Sequence, residues 1–91
     1  MNSGDKKAII CFSASWCIPC KKIKPLYQNY IKDYNNIKYY EVDIDEDEKL
    51  TNEMNIKSIP TFVFLENGKK INELVGSDLE KLKIMIEDFN K

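Results

Sequence analysis

Cys17-Ile18-Pro19-Cys20 sets two thiols three residues apart, directly after Trp16. The chemistry this spacing offers is thiol–disulfide exchange. At a helix start the two sulfurs come close enough to bridge. The unpaired amide N–H groups and the dipole of the helix N-terminus stabilise a thiolate on the first cysteine. That thiolate is the species that attacks a disulfide. The second cysteine, further into the helix and more shielded, can attack the mixed disulfide and release the product. Pro19 suits an early helix position, where its missing N–H is no loss. Trp16 is a flat group that can shield the sulfur and touch a partner. Two other readings compete. A structural zinc needs four ligands, usually from a second cysteine pair or a histidine pair; here there is no histidine, and Cys11 is the only other thiol. The remaining reading is two reduced core cysteines with no role. Such cysteines seldom form a spaced pair in a loop-to-helix turn beside a tryptophan.

The composition removes other chemistries. The 91 residues make one domain, 1–91, with a modest core. All 14 basic residues are lysines, set against 15 Asp and Glu for a net charge of −1. No arginine is present to fork onto phosphate, and no positive field gathers nucleic acid. With no histidine, Ser-His-Asp and Cys-His catalysis and imidazole metal sites are excluded. Three cysteines are too few, and odd in number, for a disulfide-stapled secreted domain. The apolar run Ala8–Phe12 is far shorter than the ~20 residues of a membrane span. A cytoplasmic or other reducing compartment, without membrane attachment, is therefore expected.

The elements that must hold the thiols follow from periodicity. Ala8-Ile9-Ile10-Cys11-Phe12 is continuous and apolar, as a strand buried on both faces should be. A helix starts near Cys17, and Ile23, Leu26, Tyr27, Tyr30, Ile31 and Tyr34 recur on it at spacings of three and four, with Pro25 a kink inside it. Asn35-Asn36 stops it. Tyr39 to Asp45 alternates apolar and acidic, hence a strand. Asp45 or Glu46 opens a short helix to about Met54. The acidic run Asp43 to Glu48 lacks the glycine and distal ligands of a calcium loop, which favours a solvated helix start. Thr61 to Leu65 is β-branched and aromatic, Asn67-Gly68 is a hairpin turn, and Lys70 to Val75 is the antiparallel partner. Ser77 with Glu80 fits a capping box, and Leu79, Leu82, Ile86 and Phe89 stripe a last helix. The order β-α-β-α-β-β-α predicts an α/β fold with a mixed sheet flanked by helices.

The segment Phe12-Ser13-Ala14-Ser15-Trp16-Cys17-Ile18-Pro19-Cys20-Lys21 resembles the active site of the thioredoxin family, in which a Cys-x-x-Cys pair is the redox motif. Lys22-Ile23-Lys24-Pro25, Val42-Asp43-Ile44-Asp45, Ile59-Pro60-Thr61-Phe62, Asn67-Gly68 and Val75-Gly76 extend the resemblance over roughly residues 7 to 91. It implies a thioredoxin-like fold and a protein-disulfide reductase. Cys17 would be the nucleophile and Cys20 the resolving thiol. Pro60 would be cis, and Ile59 would offer backbone hydrogen bonds to a substrate strand. Trp16, Ile18, Pro19, Ile59, Pro60 and Gly76 would line a shallow groove. No cofactor is implied, because the dithiol carries the electrons. The partners would be protein disulfides and a thioredoxin-reductase-type recycling enzyme, with the protein a monomer. A glutathione-linked, glutaredoxin-like reductase and a non-catalytic interaction module of the same fold are the alternatives.

Three positions depart from the family pattern. Ile18 replaces the usual glycine, adding apolar surface and leaving the redox potential open. Cys11 stands where the family carries a buried aspartate that assists proton transfer at the resolving thiol. A buried thiol is a poor general base, so the bland reading is a small hydrophobe, and Glu41 on the neighbouring strand is the alternative proton acceptor. Finally, about seven residues precede Ala8, too few for the strand and helix with which full family members begin. The expectation is a pared-down core or an open sheet edge.

Overall fold

The run Ala8–Phe12 becomes the middle of strand β1 (Lys7–Ser13) in the computed structural model, which describes residues 7–91. Its five central residues are all buried. The chain continues through α1 (Ile18–Ile31), β2 (Ile37–Asp43), α2 (Glu48–Glu53), β3 (Thr61–Glu66), β4 (Lys69–Val75) and α3 (Leu79–Phe89), the expected succession. The strands form one sheet in the order β2-β1-β3-β4. β1 runs parallel to β2 and antiparallel to β3, and β3 runs antiparallel to β4. The sheet is therefore mixed, with β1 inside it.

Alternation along β1 divides the core in two. Ile9 and Cys11 face α1 and α3, packing with Ile23, Tyr27, Phe62, Phe64, Leu82, Ile86 and Phe89. Ala8, Ile10 and Phe12 face the other way, under Leu50 and Met54 at α2. The Tyr27 ring meets Tyr39 and Phe62 edge-on at centroid distances of 4.9 and 5.0 Å. Such pairs add about 0.5–1.5 kcal/mol beyond the area they bury. They fasten α1 across β2 and β3, and so fix where the α1 N-terminus lies. Asn67 and Gly68 both have positive φ, 55° and 83°, the twisted two-residue turn that matches the hairpin strands.

Several boundaries differ from the sequence reading. β2 covers Ile37–Asp43 rather than Tyr39–Asp45, because its parallel register pairs Lys7 with Ile37 and Ser13 with Asp43. Ile44 N–H still donates to Ser13 O at 2.9 Å, just past the strand. α1 closes at Ile31, and Tyr34 sits in the following turn, its N–H donating to Ile31 O. α2 begins later than Glu46: Asp47 is the cap, its carboxylate accepting from Leu50 N–H at 3.1 Å. α3 is capped by Asp78, whose side chain accepts from Lys81 N–H at 3.1 Å, not by Ser77. A carboxylate gains more than a hydroxyl at the positive end of a helix. The reading of the segment before Ala8 concerns residues that, but for Lys7, lie outside the described ones. Among the described residues β2 is an edge strand, with Lys38, Tyr40 and Glu41 exposed. No helix among the described residues is long and apolar enough to cross a membrane.

Candidate active site

Cys17 and Cys20 form a disulfide, with Cα atoms 5.3 Å apart. Cys17 is the N-cap of α1, in an extended conformation with φ −86° and ψ 109°. Its Sγ accepts the backbone N–H of Cys20 at 3.3 Å, the place taken by a Ser or Asp oxygen in an ordinary cap. Cys17 N–H donates to Ala14 O at 3.1 Å and Lys21 N–H to Cys17 O at 3.1 Å, closing the turn that delivers the sulfur to the helix end. No acidic residue occupies the first turn of α1. A thiolate at Cys17 would therefore meet a helix dipole and an amide donor, both favouring the anion, with no carboxylate in that turn to oppose them. Burial does not separate the two cysteines in this oxidised state, at 5% and 4% exposed. The expected greater shielding of Cys20 is not seen; what distinguishes them is their place on the helix and what lies behind each.

In front of the disulfide, Ala14, Ile44 and Ile59 pack around the cysteines. The Ile59–Pro60 bond is cis and Pro60 is fully buried. Gly76 N–H donates to Pro60 O at 2.8 Å with φ +113°, a conformation that favours glycine. A Cβ there would meet nothing within 4 Å, so the space at Gly76 is open. Trp16 is 62% exposed, and its indole N–H donates to Asp45 Oδ2 at 2.8 Å. Sequence reasoning missed Asp45: the bond joins residues 29 apart in the chain, and only the acidic turn after β2 hinted at a partner. Trp16, Ile59, Pro60 and Gly76 thus occupy the same end of the sheet as the disulfide, with Ile18 and Pro19 exposed between the cysteines.

Behind Cys20 opens a cleft of about 430 Å³ whose lining includes Cys11, Cys20, Lys24, Glu41 and Asp43. Glu41 accepts from Lys24 Nζ at 3.0 Å and from the Tyr39 hydroxyl at 3.1 Å. Cys11 is the buried wall of this cleft, and its thiol is free. Burial pushes that thiol from its ordinary 9.0 up to about 12; nearby Glu41 pushes the same way, and Lys24 pulls it down. Cys11 is therefore a neutral thiol near pH 7 and cannot serve there as a base. The buried hydroxyl of Tyr27 makes no hydrogen bond among the described residues, and burial pushes its pKa up, holding it neutral. No group of three or more Cys, Asp or Glu side chains among the described residues is arranged to hold a metal ion.

A reactive cysteine pair capping a helix of a mixed α/β sheet, beside a cis-proline loop, defines a dithiol–disulfide oxidoreductase. The thioredoxin family model matches residues 1–88. Human thioredoxin is 40% identical over 87 residues, covering 96% of this chain and 83% of that protein. The solved structure of oxidised thioredoxin from Plasmodium falciparum is 37% identical with a TM-score of 0.90, covering 98% of this chain and 86% of that one. A structure from work on thiol resolving in yeast mitochondrial 1-Cys peroxiredoxin via glutathione/thioredoxin systems is 29% identical with a TM-score of 0.89, over 94% of this chain and 81% of that one. The chain belongs to the thioredoxin family. It is a protein-disulfide reductase acting through the redox pair Cys17 and Cys20.

Proposed function

We propose that Cys17 attacks and Cys20 resolves. The Cys17 thiolate attacks one sulfur of a substrate disulfide, forming a mixed disulfide and releasing the first substrate thiol. Cys20 then gives up its proton and attacks Cys17 Sγ. The second substrate thiol leaves, and the Cys17–Cys20 disulfide remains. Two electrons have passed to the substrate, and a thioredoxin-reductase-type partner returns two to the pair. The dithiol is the whole electron store, so no bound cofactor is required. The observation that carries this order is the hydrogen bond from Cys20 N–H to Cys17 Sγ. A donor aimed at that sulfur supports a thiolate on Cys17 once the bridge is open.

Glu41 is proposed as the acceptor of the Cys20 proton. It shares the cleft with Cys20, and its carboxylate is held there by Lys24 and Tyr39. Trp16, Ile18, Pro19, Ile59, Pro60 and Gly76 are proposed as the surface that meets the substrate, with Ile59 giving its backbone to a substrate strand. The protein is proposed to work as a monomer in a reducing, cytoplasmic setting, where the poise of the compartment drives reduction. Insulin-disulfide reduction by wild type and Cys17→Ser tests the core of this reading. Turnover is expected with a thioredoxin reductase as the electron source and not with glutathione, and none with Cys17→Ser. Turnover that survives in Cys17→Ser would overturn the assignment.

A further inference from the structure

Beside the disulfide, α1 and the start of α3 enclose a second groove of about 370 Å³. Ile18, Pro19, Ile23, Leu26 and Leu79 supply its apolar walls, with Lys22 and Ser77. Ile18 and Leu26 are large apolar side chains left 59% and 54% exposed, more than a lone surface residue requires when both open on one channel. Ile18, Lys22 and Leu26 are four residues apart in turn, so they line one face of α1. The groove runs along that face for about 12 Å at the helical rise, the length of about four extended residues. It is continuous with the reactive pair, because Ile18 and Pro19 are the two residues between the cysteines. Its lining carries one cation, Lys22, and no acid.

We propose that this groove takes the stretch of a substrate protein that flanks its disulfide. An apolar substrate side chain seats on Ile18, Leu26 and Leu79, and an acidic one lies beside Lys22. The proposal rests on Cys17 being the point of attack, since that bond brings the flanking chain to the groove mouth. Ile18 then has a purpose beyond tuning the pair: it is the first apolar wall the substrate meets. Substrates are sorted by the residues next to their cysteine, and a small disulfide that reaches no further than the sulfur is not sorted.

The test uses peptides with one cysteine held in a disulfide with a thionitrobenzoate chromophore. One flanks the cysteine on both sides with leucine and glutamate, one with leucine and lysine, one with serine and glutamine. Attack of Cys17 on the peptide sulfur joins peptide to protein and releases the coloured thiolate. The chromophore's own symmetric disulfide is the control. Burying one apolar side chain is expected to make wild type about tenfold faster with the leucine–glutamate peptide than with the serine–glutamine one. In Leu26→Glu that ratio should fall to near one, with the control still reduced. In Lys22→Glu the preference should pass to the leucine–lysine peptide. Equal rates for all peptides with wild type, or an unchanged ratio in Leu26→Glu, would overturn the proposal. So would a wild-type dimer in solution that Leu26→Glu disperses while peptide rates stay level, which would make the groove a contact between copies. Failure of wild type on the control would strike the exchange chemistry itself, and the groove with it.

Discussion

Cys11 of β1 and Glu41 of β2 are direct neighbours across the parallel pairing, and the Glu41 carboxylate is tied to Lys24 Nζ, 3.0 Å away. An acid therefore sits on the sheet edge beside the position where the family carries its buried aspartate. Glu41→Gln removes the proton acceptor and keeps the shape. The resolving step, followed as release of the second substrate thiol, should slow about tenfold or more near neutral pH, while the first attack by Cys17 keeps its rate. Glu41→Asp should recover part of the loss. An unaltered resolving rate in Glu41→Gln would mean that solvent takes the proton directly.

Cys11→Asp returns a carboxyl group to the inner wall of the cleft. Resolution should become faster than in wild type, because the acid is then inside the cleft with Cys20. Stability should fall by about 3 kcal/mol, the cost of a buried polar group with incomplete hydrogen bonding. Stopped-flow turnover and urea melts on the same samples check both halves. A turnover rate equal to wild type would dismiss the idea that Cys11 slows resolution.

The ionisation of Cys11 makes a prediction about pH. Its thiol holds its proton up to about 12 when folded and to about 9.0 when not. The folded state is thus the tighter proton binder. Its contribution is fully present below pH 9 and is lost as pH rises toward 12. In the oxidised protein, where Cys17 and Cys20 do not titrate, wild type should lose stability relative to Cys11→Val by up to about 1.4 kcal/mol per pH unit across that window. Urea midpoints of the two proteins, measured from pH 8 upward, check the slope. A constant difference would show that the buried thiol ionises as easily as a free one.

The α3 cap offers a clean contrast between neighbours. Asp78→Ala should cost about 1 kcal/mol, the usual loss at an N-cap. Ser77→Ala should change stability by less than about 0.5 kcal/mol, as exposed positions do. Thermal melts of the two variants decide between the caps. The reverse order would restore Ser77.

The helix-start pair, the alternating strands and the Asn67–Gly68 turn were legible because each is written in adjacent residues. Cys11 was legible too, since its place relative to Cys17 is a matter of counting along one strand. The α3 cap was misassigned because Ser77 and Asp78 are both good caps, one residue apart; only the backbone decides which side chain meets Lys81 N–H. β2 slipped by two residues because its alternation continues past the point where pairing with β1 ends. The bond from Trp16 to Asp45 and the groove between α1 and α3 lay beyond sequence reading. Each joins segments that meet only after the sheet has ordered the helices. Glu41 could be named from its strand, but its anchoring by Lys24 and Tyr39 needed the register of β2 against α1.

The Cys17–Cys20 bridge closes a ring over three residue steps. A ring that small takes far less freedom from the unfolded chain than a bridge between distant segments would. Opening it costs about 2 kcal/mol on that count, less than half of what a bridge over about a hundred residues would. The reduced protein is thus the looser of the two, and the packed sheet and its aromatic contacts carry the fold through the half of each cycle in which the bridge is open.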